Sequence, residues 1–204
     1  MTRRIFGRIL IAIGVLLLAG ALSLYLYNSY DADRAATAST EAEEKLSDAM
    51  LSSVGSEYTL TIEEDADGET YSVISLTVDD ESYIGILSIP SFGLELPVLS
   101  EWSYSGLKNS PARYTGSASA GNLVICAHNY ERHFGNIKNL SPGASITFTD
   151  VTGTVYEYEA VEVETLQPTA ISEMISGDWD LTLFTCTTSG QARVTVRCQL
   201  VEGN

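Results

Sequence analysis

Cys186 closes an apolar run, Leu181 to Thr185, and opens onto a polar loop that holds Ser189 and Gly190. A side chain at such a strand end faces whatever docks there. A thiol becomes a strong nucleophile when a neighbouring base or positive charge draws off its proton. The chain has two histidines. His128 follows the apolar run Leu123 to Ala127 and so also ends a strand, whereas His133 lies within a polar loop. Cys186 and His128 are thus a candidate pair for covalent acyl chemistry. A metal reading would join Cys126, His128 and His133, but neither clustered carboxylates nor a second cysteine pair completes a ligand set. No metal and no cofactor is expected.

The terminal strand adds a cation. Ala192, Val194, Val196, Cys198 and Leu200 share one side, and Arg193, Thr195, Arg197 and Gln199 the other. Suppose the last two strands pair as an antiparallel hairpin with Thr187 to Ala192 as the loop. Cys186 then faces Arg193, and Thr182 faces Arg197. Four residues of strand is roughly 13 Å, so Arg193 is within reach of charge developing at Cys186. Arg197 reads as a solvated or ion-paired surface position. Cys198, on the apolar side, reads as a small buried hydrophobe. Three cysteines are an odd number for an exported chain, so at least one thiol stays free.

The elements that must position these residues are short strands. Ile84 to Ile89, Leu94 to Leu99, a short piece near Arg113, Asn122 to Ala127, Ser145 to Thr149, Thr154 to Val163, Leu181 to Thr185 and Ala192 to Val201 make about eight. Close spacing with turn residues between them predicts a sandwich or a closed barrel. Ile137 to Leu140 and Ala170 to Ile175 read as helical turns. Two more β-like runs lie between Tyr58 and Val78, around an Asp67-Gly68 turn signal; a hairpin and a loose extension both fit.

Upstream, Arg3, Arg4 and Arg8 precede an uncharged apolar stretch from Ile9 to Tyr30, long enough to span a bilayer. The cationic flank predicts a cytoplasmic N-terminus and an external domain. Ala19-Gly20-Ala21 resembles a signal cleavage site, but the apolar run continues through Leu22, Leu24 and Leu26, which favours an anchor. Asp31 to Ser53 reads as a solvated, partly helical stalk with little to bury. The expected organisation is an anchor over 1–30, a stalk or extension over 31–80 and a catalytic domain over 81–204. The formal charge of -16, from 27 acidic and 11 basic residues, argues against nucleic acid as a partner.

Thr182-Leu183-Phe184-Thr185-Cys186 resembles the Thr-Leu-x-Thr-Cys signature of sortases. Asn122 to Asn129 resembles their histidine-bearing strand, Arg193 to Val196 their arginine-bearing strand, and Ile84 to Pro90 their first strand. The resemblance implies a mostly β fold, a closed eight-stranded barrel with short helices, here preceded by one N-terminal transmembrane helix. It implies a membrane-anchored cysteine transpeptidase. Such an enzyme cuts a C-terminal sorting motif of secreted proteins through a thioester and passes the acyl group to a peptidoglycan amine. Cys186 would be the nucleophile, His128 the acid/base, Arg193 the oxyanion partner and Thr185 a substrate contact. Cys126 stands where other members carry a small residue, and reads as inert packing or as a redox-sensitive thiol. A lid ahead of the barrel and a second C-terminal anchor are not found, the chain ending at Glu202-Gly203-Asn204. A type other than the pilus-polymerising one is therefore expected. A cysteine hydrolase on the same scaffold and a non-catalytic surface β-domain are the alternatives.

Overall fold

The computed structural model describes residues 2–52, 57–64, 68 and 70–201. Asp67 of the turn signal, the terminal Glu202 to Asn204 and the side chains of Arg3 and Arg4 lie outside the described residues. The chain divides into two compact units, residues 1–34 and 35–204.

One helix, α1 (Thr2–Leu51), runs through the first unit and into the second. In the first unit its leucines and isoleucines from Ile9 to Leu26 are exposed, and it is long and apolar enough to cross a membrane. In the second unit the expectation of a solvated stalk is corrected. Ala35, Ser39 and Leu46 are buried, and Ala42, Ala49 and Met50 lie on the same face at helical spacing. Leu46 packs among Leu76, Tyr83, Leu99 and Val151; burying a leucine contributes about 1.5–3 kcal/mol. The stripe is built mostly of alanine and serine, which is why it is faint in the sequence.

The runs between Tyr58 and Val78 form a hairpin. β1 (Glu57–Glu64) pairs with β2 (Thr70–Val78), and β2 continues the sheet by pairing with β3 (Glu81–Ile89). A guanidinium fork ties the hairpin down: Arg113 donates to Glu63 through Nη2 at 2.6 Å and Nη1 at 3.0 Å.

The remaining strands are β4 (Leu94–Leu99), β5 (Ala112–Thr115), β6 (Leu123–Ala127), β7 (Ser145–Asp150), β8 (Val155–Leu166), β9 (Leu181–Cys186) and β10 (Arg193–Leu200). From β3 the order is β3-β4-β5-β6-β9-β10-β8-β7, and β7 pairs back onto β3. Eight strands therefore close into a barrel, as expected. Closure is tight at Gly85, where an added Cβ would collide with the carbonyl oxygen of Thr149 on β7. The helical turns fall at Ile137–Asn139 and at α2 (Ile171–Ile175).

Two pairings matter for the site. β6 and β9 run parallel, with Ala127 opposite Thr185, so both strands end at the same rim. Such strands are covered on both faces and read as continuous apolar runs; every residue of β6 is buried. β10 also has both faces covered. Val194, Val196 and Cys198 face the core, while Thr195 and Arg197 contact α2. The expected surface position of Arg197 is thus corrected: it is 3% exposed, although ion-paired.

Candidate active site

The strand register brings three side chains to one rim. Cys186 ends β9 and lies opposite Arg193, the first residue of β10. Thr182 lies opposite Arg197, so the hairpin register inferred from the sequence matches the structure. On the other side of β9, His128 stands one step beyond the Ala127–Thr185 pair. Neighbouring strands are about 4.8 Å apart. Cys186 is therefore flanked by His128 on one side and Arg193 on the other, each roughly one strand spacing away.

All three line one cavity of about 370 Å³ and are half-buried. Nη1 of Arg193 donates to the carbonyls of Gly190 and Ala192, at 3.4 and 3.2 Å. Its Nε and Nη2 make no hydrogen bond among the described residues, and no carboxylate pairs with it there. Thr185 is buried in the same wall. Its hydroxyl donates to the Ala127 carbonyl at 2.8 Å, which locks the Cys186 strand to the His128 strand. That bond commits the hydroxyl proton and leaves the oxygen lone pairs.

A family model for the sortase domain matches residues 87–201, more than half of the chain. The chain belongs to the sortase family. That family is one of cysteine transpeptidases. Solved structures agree on the fold. Sortase C1 from Streptococcus agalactiae is 23% identical with a TM-score of 0.56, over 63% of this chain and 72% of that one. Sortase C from Clostridium perfringens, solved with the C-terminal cell wall sorting motif, is 25% identical with a TM-score of 0.52, over 59% and 71%. A pilus-related sortase C of Group B Streptococcus is 25% identical with a TM-score of 0.53, over 61% and 69%. The last of these gives no support to the expected exclusion of the pilus type. No curated protein sequence matches the chain.

Other titratable residues of this sortase take different places. Cys198 is fully buried, and burial pushes its thiol up to about 12. Cys126 borders the cavity but is buried; its thiol donates to the Ala112 carbonyl at 3.5 Å and is likewise pushed up to about 12. His133 lies in the polar loop that the sequence indicates, yet its side chain is covered. Its ring is fully buried, and burial, with His128 nearby, pushes it down to about 4. Among the described residues, no three potential ligands cluster as a metal site.

The sequence reading missed the aromatic and apolar lining. Trp102 stacks on Tyr114 at 6.1 Å, and Tyr114 meets Phe184 edge-on at 5.3 Å. Ile171 and Met174 of α2 line the cavity as well. The one available signal was Trp102-Ser103-Tyr104, two aromatics in a polar connection between strands.

Proposed function

We propose that this sortase is a membrane-anchored cysteine transpeptidase. It cleaves a C-terminal sorting motif of secreted proteins through a thioester on Cys186 and transfers the acyl group to a cell-wall amine. The observation that carries the reading is the meeting of Cys186, His128 and Arg193 at one rim of the barrel, in one cavity. The Clostridium perfringens neighbour solved with a cell wall sorting motif supports the choice of substrate class.

The Cys186 sulfur attacks the scissile carbonyl carbon as its proton passes to His128, forming a C–S bond and an oxyanion. The free Nε and Nη2 donors of Arg193 meet that oxyanion, an interaction strengthened where the cavity excludes water. His128 gives a proton to the leaving nitrogen as the C–N bond breaks. The incoming primary amine then attacks the thioester carbonyl and loses its proton to His128. The C–S bond breaks, and the leaving Cys186 sulfur takes that proton back from His128, which restores both groups. Thr185, with its proton committed to Ala127, accepts from a substrate N–H. The residues named supply each step without a metal or cofactor. The apolar helix after Arg8 anchors the chain, with the cationic N-terminus in the cytoplasm and the barrel outside.

The test uses the full chain in detergent with a sorting-motif peptide and a short primary-amine acceptor, read by mass spectrometry. Amide product should replace free acid as acceptor rises, and Cys186→Ala should form no hydroxylamine-sensitive acyl-enzyme. Free acid alone at high acceptor would favour a hydrolase. An acyl-enzyme on Cys186→Ala would overturn the nucleophile.

A further inference from the structure

Arg197 lies four residues along β10 from Arg193, roughly 13 Å from the reacting thiol by strand geometry. It is almost wholly buried, and each of its three guanidinium nitrogens donates a hydrogen bond. Nε meets Glu164 on β8 at 2.7 Å. Nη1 reaches the Met174 carbonyl at 2.8 Å and the Thr182 hydroxyl at 3.1 Å. Nη2 reaches the Glu173 carbonyl at 2.6 Å.

Two of these acceptors are carbonyls of α2 near its C-terminus, where a helix has no backbone partners for them. A cation at that end also favours the helix dipole. α2 is five residues long, too short to hold itself in water, so outside contacts set its position. The ladder between β10 and β8 slips by a residue between Arg197 and Cys198, the kind of bulge that re-aims a side chain beside a site.

A buried ion pair is a poor way to gain stability alone, because desolvating both charges offsets most of their attraction. An apolar side chain would fill the same space. What an apolar side chain lacks is a planar fork that grips two successive carbonyls of one helix. The helix so gripped carries Met174 and Ile171 into the wall of the cavity. Met174 is buried, and its sulfur accepts from the Thr195 hydroxyl at 3.5 Å.

We propose that Arg197 is a positioning residue that fixes α2 as the substrate-facing wall of the cavity, so that it governs binding of the peptide and not the chemistry at Cys186. The role of α2 toward a peptide rests on the transpeptidase reading above.

The experiment compares wild type, Arg197→Lys, Met174→Ala and the double variant, each as the full chain in detergent. Lysine keeps the charge beside Glu164 but cannot hold two carbonyls in one plane. Arg197→Lys should raise KM for a sorting-motif peptide tenfold or more, with kcat within about threefold. Hydrogen exchange should quicken at residues 171–176 and stay unchanged in β9. Met174→Ala should raise KM too, and the double variant should add little, since both changes act through one wall. If Arg197→Lys fails to fold, Thr182→Val removes one of the four bonds without leaving Glu164 unpaired, and should show the same split at smaller size. A fall in kcat at constant KM, faster exchange across the whole barrel, or full additivity with Met174→Ala would each overturn the proposal. If the wild type cleaves no sorting peptide, the transpeptidase reading fails. The exchange pattern alone then upholds or overturns the hold of Arg197 on α2.

Discussion

The rim where β6, β9 and β10 meet carries one thiol, one imidazole and one guanidinium, and the body of the domain carries the same types again. Cys186, His128 and Arg193 are half-buried around an open cavity, whereas Cys198, His133 and Arg197 are enclosed. The enclosed thiol and imidazole are both pushed toward their neutral forms, the thiol up and the imidazole down. The enclosed guanidinium is matched by an ion pair with Glu164 and by hydrogen bonds from each of its nitrogens. Residue type therefore does not mark chemistry in this fold. For the thiols and the guanidinium groups position along the strand does, because a strand's end residue meets the rim while its middle is covered on both faces. The two arginines make the contrast most directly, since they share a strand and differ by four positions.

Arg193→Ala should give the largest effect that tests this contrast. Removing one oxyanion donor costs about 100-fold or more in kcat, with KM little changed. Arg197→Lys is expected to show the reverse split. Steady-state kinetics on the sorting peptide decides the matter, and a loss under threefold for Arg193→Ala would break the distinction.

The two histidines give a smaller effect, read in stability. Buried His133 titrates near 4 in the fold and near 6.5 unfolded. Between those values the unfolded chain binds the extra proton. The contribution of neutral His133 is thus fully present above pH 6.5 and is lost as pH falls toward 4, on the order of 3 kcal/mol in all. Urea unfolding at pH 7 and pH 4 should show wild type losing more stability than His133→Phe over that interval. Equal losses would mean that the ring titrates normally.

Much of this was legible in the sequence, for a definite reason. The strands of the barrel carry β-branched and apolar runs bounded by turn residues, and a fixed six-residue connection set the β9–β10 register. Placing Cys186 against Arg193 needed only that. What the sequence left open depends on long-range covering. Arg197 alternates with apolar neighbours as a surface residue would, and only α2, some 23 positions earlier, encloses it. His133 sits among Arg132, Glu131 and Asn129, yet its ring turns inward. The stripe from Ala35 to Met50 is too small-sided to read as buried until Leu46 is seen in its cluster.

The smallest expected effect concerns Cys126, which tests the contrast where rim and interior come closest. Its side chain borders the same cavity as Cys186, yet its strand position is interior. With the thiol near 12, roughly one molecule in ten thousand is thiolate at pH 8. Cys126 lies opposite Phe184, two residues before Cys186. The two cysteines are therefore offset by one strand spacing and two residues, about 8 Å apart by strand geometry, whereas a disulfide needs Cβ atoms about 4 Å apart. A disulfide between them would require the strands to shift. The favoured outcome is thus inert packing and not a redox partner. Cys126→Ala should leave kcat/KM within about threefold, a surface-like change for a residue that touches the cavity without reacting there. Native protein at pH 8 should take up iodoacetamide at Cys186 alone, with Cys126 and Cys198 labelled only after unfolding. Diamide should give no Cys126–Cys186 crosslink by mass spectrometry of the native chain. Labelling of Cys126 at a rate near that of Cys186, or a ready crosslink, would show that strand position does not protect a thiol so close to the rim.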